Sequence, residues 1–433
     1  MTPRMTTFQG IVLGVFSFCI VLGVVFFAIS ANTNQNKSIG AVTIWGTLDR
    51  EAFDRALRTV GDTEGSLINA TYIEKDAATF DADLSEALAS GTGPDLFLLE
   101  QDAILRHQSK IAFFPYSALP QQTFTSMYID EAKLYLTAEG ALGLPLIVDP
   151  LVLYWNKDTL SMNGFAQPPS YWDEVFTMAE KISQKDASGG IIKSAIAFGE
   201  FENVLHAKDI VSALIMQAKG TVVSADSEGR VEATIDQNVS NASERPAISA
   251  LRFYTTFANP AESVYSWNRS LPHSRDAFAQ GKAALYVGYA SERALIQDLN
   301  PNLSSAVAPI PQIRDSARSV TFGHMYAVAK PRTSNNPAGA DIIASILAGR
   351  AFGESLSFEL ALPPVRRDVL AVGADGPMQV FYSAALIATA WLDPSSEDTD
   401  EIFKVMIESV GSGSSRISEA VDTADRYLTA LLK

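Results

Sequence analysis

Apolar positions along the chain recur at two spacings that take turns, every second residue and every third to fourth. Val42-Thr43-Ile44-Trp45 predicts a strand, and Phe53, Ala56, Leu57 and Val60 then fall at i, i+3, i+4 and i+7, one face of a helix. The cycle repeats. Residues 70–73 predict a strand, Leu84, Ala87 and Leu88 line a helix that Gly91 closes, and residues 95–99 form the unbroken apolar run of a buried parallel strand. Pro168-Pro169-Ser170, with Asp173 three residues beyond the serine, predicts a helix capped at Ser170, its apolar face made by Trp172, Val175, Phe176, Ala179 and Ile182. Further strands are expected at 283–287 and 305–310, and a helix at 341–349 burying Ile342, Ile343, Ile346 and Leu347. Two helices close the chain. Phe403, Met406, Ile407 and Val410 mark the first, up to Gly411; Ile417, Ala420, Val421, Ala424, Tyr427, Leu428 and Leu431 mark the second. Alternating strand and helix predict an α/β fold.

One segment breaks the pattern. Residues 10–31 carry no charge, and among these 22 positions only Ser17 and Ser30 have polar side chains. As a helix the run would be about 33 Å long, against about 30 Å of bilayer hydrocarbon, so a transmembrane anchor is expected, with a cleaved signal peptide as the alternative. Residues 1–9 would then be a cytoplasmic tail, and the polar stretch 32–39 a tether to a body outside the membrane. The only cysteine, Cys19, lies inside the run behind Phe18, a residue too large for a lipoprotein cleavage site, so the exported part has no disulfide, thiol nucleophile or cysteine metal site.

Composition narrows the function. With 433 residues the chain exceeds one ordinary core, so two or more domains are expected. Lys and Arg number 33 against 49 Asp and Glu, a net charge of −16, the opposite of a nucleic-acid footprint. Catalytic signatures are missing: no H-E-x-x-H, no G-x-S-x-G and no complete phosphate loop, since Gly281-Lys282 runs on into Ala283. His107, His206, His273 and His324 have no metal-ligand spacing, so no metal or cofactor is expected.

Several short motifs do stand in a telling order. Gly143-Leu144-Pro145 leads through Asp149 to Tyr154-Trp155-Asn156-Lys157-Asp158, and then to Gln167-Pro168-Pro169-Ser170-Tyr171-Trp172-Asp173-Glu174. Phe278-Ala279-Gln280-Gly281-Lys282-Ala283-Ala284-Leu285 follows, and after it Gly323-His324-Met325-Tyr326-Ala327-Val328. This succession resembles the extracellular solute-binding proteins of ABC importers, the family that includes the maltose-binding protein. The resemblance implies a two-lobe periplasmic-binding-protein-like (type II, Venus-flytrap) fold that closes on ligand by hinge motion. Mapped onto this chain, the lobes are 40–148 plus 327–376 and 149–322 plus 380–433, joined by crossings at 145–151, 321–328 and 374–383.

In such a fold ligand sits at strand ends facing the interlobe cleft. Trp45 and Thr47 end the first strand there, with a packed strand-end aromatic as the other reading of Trp45. Asp102 matches a ligand-binding aspartate of the family, or caps the helix before Ile104. Asp149 matches a family glutamate that bonds sugar hydroxyls, and an acid between Val148 and Pro150 in an apolar run is costly to bury without a task. Glu202 and Asn203 match a binding loop, and Tyr289 a stacking aromatic; His324, Trp391 and Trp267 are further candidates. Trp155, Trp172 and Phe403 are expected in the core. The family's stacking tryptophans are not reproduced one for one, Leu99 standing for one of them.

Aromatic rings and carboxylates suit a sugar or oligosaccharide first and a polyamine or other cation second. The expected protein is therefore a monomeric binding subunit, not an enzyme, that delivers solute to an ABC permease. A membrane-anchored glycoside hydrolase using Asp149 with Asp102 or Glu202, and a ligand-sensing receptor subunit, are the alternatives.

Overall fold

Two long strands organise the molecule. Shorter strands join them in one sheet. In chain order the strands that matter are β1 (Val42–Gly46), β2 (Ala70–Glu74), β3 (Leu96–Glu100), β4 (Leu144–Asn156), β5 (Ile191–Ile196), β6 (Ala283–Tyr289), β7 (Ser305–Ala308), β8 (Thr321–Pro331) and β9 (Ala388–Thr389). The helices are α1 (Arg50–Gly61), α2 (Phe80–Ser90), α3 (Trp172–Ile182), α4 (Ala207–Gln217), α5 (Pro246–Thr256), α6 (Glu292–Leu299), α7 (Pro337–Leu347), α8 (Arg350–Leu360), α9 (Pro377–Leu386), α10 (Ser396–Gly411) and α11 (Ile417–Leu431). The computed structural model describes residues 39–225, 229–239, 244–314, 316 and 318–433. The apolar run at 10–31 lies outside the described residues; among them, no helix is long and apolar enough to cross a membrane.

The strand order is β2-β1-β3-β8-β4-β6-β5, with Gln184–Lys185 at the far edge. β1 pairs in parallel with β2 and β3, and β6 with β5, as the alternation of strand and helix predicts. β4 and β8 join these two parallel halves. At 13 and 11 residues they reach about 43 and 36 Å, far longer than a typical strand. The first part of β4 pairs with β8, Pro145 opposite Ala327 and Pro150 opposite Gly323, while its second part, from Leu151 to Trp155, pairs with β6. β8 reaches β3 through Tyr326–Ala329 and β9 through Thr321 and Phe322. β4 is buried at all but one of its positions, which explains why it reads as one apolar run rather than an alternation. α9 packs on β4 and is followed by the two-residue β9.

Helix boundaries show where local chemistry acted. α1 begins where the Asp49 carboxylate accepts from Ala52 N–H at 2.8 Å, and buries Phe53, Ala56, Leu57 and Val60. Gly91 closes α2 with φ 73°, a left-handed C-cap that glycine adopts without strain. α3 starts one residue later than expected, with Tyr171 at the cap, because Glu174 rather than Asp173 reaches back to the backbone N–H of Ser170 at 2.8 Å. α7 starts before residue 341, at Pro337, with the Asn336 side chain accepting from Gly339 N–H; its buried face is Ala340, Ile343, Ala344 and Leu347, and Ile342 is turned to solvent, 45% exposed. Tyr427 and Leu431 of α11 are likewise exposed.

In the half that holds β5 and β6, the core centres on an aromatic cluster. Trp172 contacts Phe198 and Phe253, Phe176 stacks on Phe257 at 5.4 Å, and the Trp172 indole N–H donates to Gln217 Oε1 at 2.7 Å. Trp172 and Phe403 are core residues as expected, but Trp155 is half-buried, and its indole nitrogen has no hydrogen-bond partner among the described residues.

Candidate ligand-binding site

Side chains from both halves converge beside the crossing strands. β3 ends at Glu100, and a tight 3₁₀ turn (Gln101–Ala103) follows, placing Gln101 and Asp102 at the sheet edge. His324 projects from β8 directly across the strand pair from Asp149. The opposite wall is built by the start of α4, which carries His206, Lys208 and Asp209, by Tyr289 at the end of β6, and by Trp391 and Asp393 after β9. Together these residues enclose a cavity of about 240 Å³. A second cavity, of about 310 Å³, adjoins it through Asp102 and Ser396 and is walled by Thr47, Glu100 and Arg106 among others.

His324 is fixed by a carboxylate. Its Nε2 lies 2.7 Å from Glu100 Oε2, and Glu100 Oε1 accepts from the Thr47 hydroxyl at 2.7 Å. Burial opposes the imidazolium, but the Glu100 and Asp102 charges outweigh it and hold His324 up to about 10. At neutral pH both ring nitrogens therefore carry protons. Gln101 Oε1 accepts from Met325 N–H at 2.9 Å, which orients the amide so that its Nε2, 3.4 Å from His324 Nδ1, is a donor as well. Two donors thus face one another with no acceptor between them. Asp102 is beside them: its carboxylate, raised by burial, has no hydrogen bond among the described residues, and it sits within the turn rather than at a helix cap.

A similar pair stands on the opposite wall. His206 Nε2 lies 2.5 Å from Glu292 Oε1, and Glu292 also accepts from the Tyr286 hydroxyl at 2.6 Å and from Tyr289 N–H at 3.2 Å. Burial pushes the Glu292 carboxyl up, but these partners hold it below the ordinary range, and His206 is raised correspondingly. His206 has φ 61°, a left-handed conformation costly for a residue with a Cβ and sustained by this buried anchor. The Tyr289 ring stands edge-on to both imidazoles, 4.7 Å from His206 and 6.1 Å from His324, and its hydroxyl donates to Asp209 at 2.9 Å. Lys208 Nζ is neutralised by Asp393 at 3.2 Å and Asp400 at 2.7 Å.

The residues singled out in the sequence divide into two groups. Asp102, Tyr289, His324 and Trp391 wall one cavity, and Thr47 walls its neighbour through Glu100. Trp391 is 4% exposed; its indole N–H donates to Ser212 and its ring stacks on Phe403, so it forms the floor. The other five lie elsewhere, among them Trp267, which is buried. Trp45 points to the opposite side of β1 from Ile44 and is covered by the Lys75 ammonium, 3.7 Å from the ring centroid. Asp149 is buried against the turn after β6, where it accepts from Ser291 N–H at 3.1 Å, and desolvation raises it to about 6. Glu202 is exposed and ion-paired with Lys404. Asn203 is a structural clamp: its amide donates to the carbonyls of Asn268 and Leu271 and accepts from the Trp267 indole. Of the three acids named for hydrolysis, Asp102 lines this cavity, and Asp149 and Glu202 are not among its wall residues.

His206, Lys208 and Asp209 carry no sequence signal beyond their place just after Glu202 and Asn203; Gln101 had one, its position at the end of β3. Glu100, Asp102 and His324 each offer an atom within 4.8 Å of the others, a geometry that could hold a divalent ion only if His324 gave up a proton. No metal-ligand spacing announced it, because the histidine lies 224 residues from Glu100.

A family model described as bacterial extracellular solute-binding protein matches residues 63–402. The chain belongs to that family. Among curated relatives, binding proteins of Brucella abortus strain 2308 and Brucella suis biovar 1 strain 1330 are each 24% identical over 257 residues, a match spanning 58% of this chain and 58% of theirs. Solved structures of solute-binding proteins share the fold over nearly the whole body. A cyclo/maltodextrin-binding protein complexed with maltotetraose has a TM-score of 0.72 at 17% identity, covering 92% of this chain and 98% of that one. An ABC transporter solute-binding protein of Thermotoga lettingae TMO bound with α-D-tagatose gives 0.67 at 20%, covering 91% and 100%. The GacH receptor of Streptomyces glaucescens, solved unliganded and with acarbose, gives 0.68 at 18%, covering 91% and 98%. The two-lobe α/β solute-binding fold is thus common to all of them.

Proposed function

We propose that this solute-binding protein captures a sugar or oligosaccharide between its lobes, on the extracytoplasmic side of the membrane, and delivers it to the permease of an ABC importer. The observation that carries this reading is the set of groups around His324. The His324 Nδ1–H and the Gln101 amide offer two donors without an acceptor, beside an Asp102 carboxylate without a donor. A hydroxyl group accepts from the first two and donates to the third, and a sugar supplies several hydroxyls on an apolar ring that can pack against Tyr289. The sugars in the related structures support the same class.

In this reading the lobes are 40–148 plus 327–376 and 149–322 plus 380–433, with hinge motion at the crossings closing the cleft. The ligand residues are Gln101, Asp102 and His324 from one side, and His206, Asp209 and Tyr289 from the other. The protein acts as a monomer without covalent chemistry. Residues 10–31 anchor it, so that it fractionates with membranes and resists carbonate extraction; a soluble form beginning near residue 31 would contradict the anchor alone.

Thermal shift of residues 39–433 against a panel of neutral sugars and polyamines tests the ligand class. A saturable rise in melting temperature with a sugar is expected. A rise with polyamines alone would replace sugar by cation, and no rise with any member would overturn the capture of either.

A further inference from the structure

A cavity of about 390 Å³ lies apart from the cleft and shares no wall residue with either of its two cavities. Tyr154 near the end of β4, Lys157 just beyond it, β7, α6 and the start of α9 enclose it. Two of its wall residues are cations, Lys157 and Arg293, and none is an acid. Neither charged group has a hydrogen bond or ion pair among the described residues. Arg293 does act on the wall itself, its charge opposing the upward push that burial gives the Tyr154 phenol.

The cleft differs in that acids stand among its walls. Acids outnumber bases 49 to 33, and the cleft cations are each matched: His324 by Glu100, His206 by Glu292, Lys208 by Asp393 and Asp400. Arg293 also stands in the first turn of the eight-residue α6, where the helix dipole disfavours a cation. Its neighbour Glu292 cannot compensate, being turned inward to His206 and Tyr286. The ten-residue α9 brings another positive end to the same space through Gly376 and Pro377. Unbalanced positive potential in a concave site is relieved by an anion.

We propose that this cavity is a second small-molecule site, separate from the cleft, which takes a ligand bearing a phosphate or carboxylate group held between Lys157 and Arg293. Guanidinium and ammonium groups recognise either oxyanion, the first by a bidentate contact. The test is titration of the purified chain with inorganic phosphate and with succinate, at ionic strength matched by sodium chloride, followed by melting temperature and calorimetry. Lys157→Ala, Arg293→Ala and the cleft variant Asp102→Asn are run in parallel. A saturable shift is expected with at least one of the two anions, weakened tenfold or more by either alanine and unchanged in Asp102→Asn. Phosphate alone or succinate alone would each support the site and identify its chemistry. Shifts no larger than those of chloride, or equal shifts in both alanine variants, would overturn it. Both residues are exposed, and circular dichroism of the variants checks that they fold.

Discussion

His324 Nε2 and Glu100 Oε2 lie 2.7 Å apart, joining the long strand β8 to the end of β3. The charge on this imidazole depends on that contact. A base whose pKa is raised on folding stabilises the fold fully below its unfolded value near 6.5, and the contribution is lost as pH rises through its folded value of about 10. NMR titration of the imidazole should therefore show no transition between pH 5 and 8.5. Glu100→Gln should bring the transition down by more than one unit; an unchanged midpoint would remove Glu100 as the cause.

Glu131 provides a pH effect of the opposite kind. It is 1% exposed, and neither carboxyl oxygen has a hydrogen-bond partner among the described residues; burial pushes it up to about 8. An acid raised on folding keeps its proton after the unfolded chain has released it, so stability falls as pH rises from about 4.5 to about 8. The slope is at most about 1.4 kcal/mol per pH unit. Asp149, raised to about 6, adds the same sign at lower pH, so the comparison belongs between pH 6 and 8. Denaturant midpoints of Glu131→Gln should be flatter across that window than those of the parent.

Gly323 is the neighbour that leaves Glu131 no room. A Cβ added there would stand 2.0 Å from Glu131 Oε2 and 3.0 Å from the Ala388 Cβ. Gly323→Ala should destabilise the fold by about 1–3 kcal/mol, the usual cost of overpacking a core, as measured by urea unfolding. Glu131→Ala in the same chain should restore part of it.

Asn203 and Glu202 are adjacent in sequence and should behave differently. Asn203→Ala leaves the Trp267 indole and two carbonyls without a partner and should cost about 1–3 kcal/mol. Glu202→Ala removes one exposed ion pair, with an expected effect below about 1 kcal/mol and no change in ligand affinity. Melting curves of the two variants check both.

How much of this could be read from the sequence followed from what was local. β3 announced itself because burial makes residues 95–99 a continuous apolar run, and Gly91 marked a helix end because the closing turn needs a positive φ. Ile342 misled because the buried stripe of α7 is Ala340, Ile343, Ala344 and Leu347, and one residue's turn of about 100° carries Ile342 off that face. Asp102, Tyr289 and His324 were legible as strand or strand-end residues. Lys208 was not: in sequence it is an ordinary helical lysine, and its acid partner Asp393 lies 185 residues away. Glu131 drew no reading from the sequence, and its burial arises from strands β8 and β9, which come much later in the chain.

The central claim is that solute is held between Gln101, Asp102 and His324 on one side and His206, Asp209 and Tyr289 on the other. Calorimetric titration of the strongest sugar from the panel into the parent, Asp102→Asn and Asp209→Asn tests it most directly, since each variant alters one wall and keeps the side-chain volume. One-to-one binding is predicted for the parent, with affinity lowered tenfold or more in both variants. Undiminished binding in both would place the ligand outside this cleft and contradict the account.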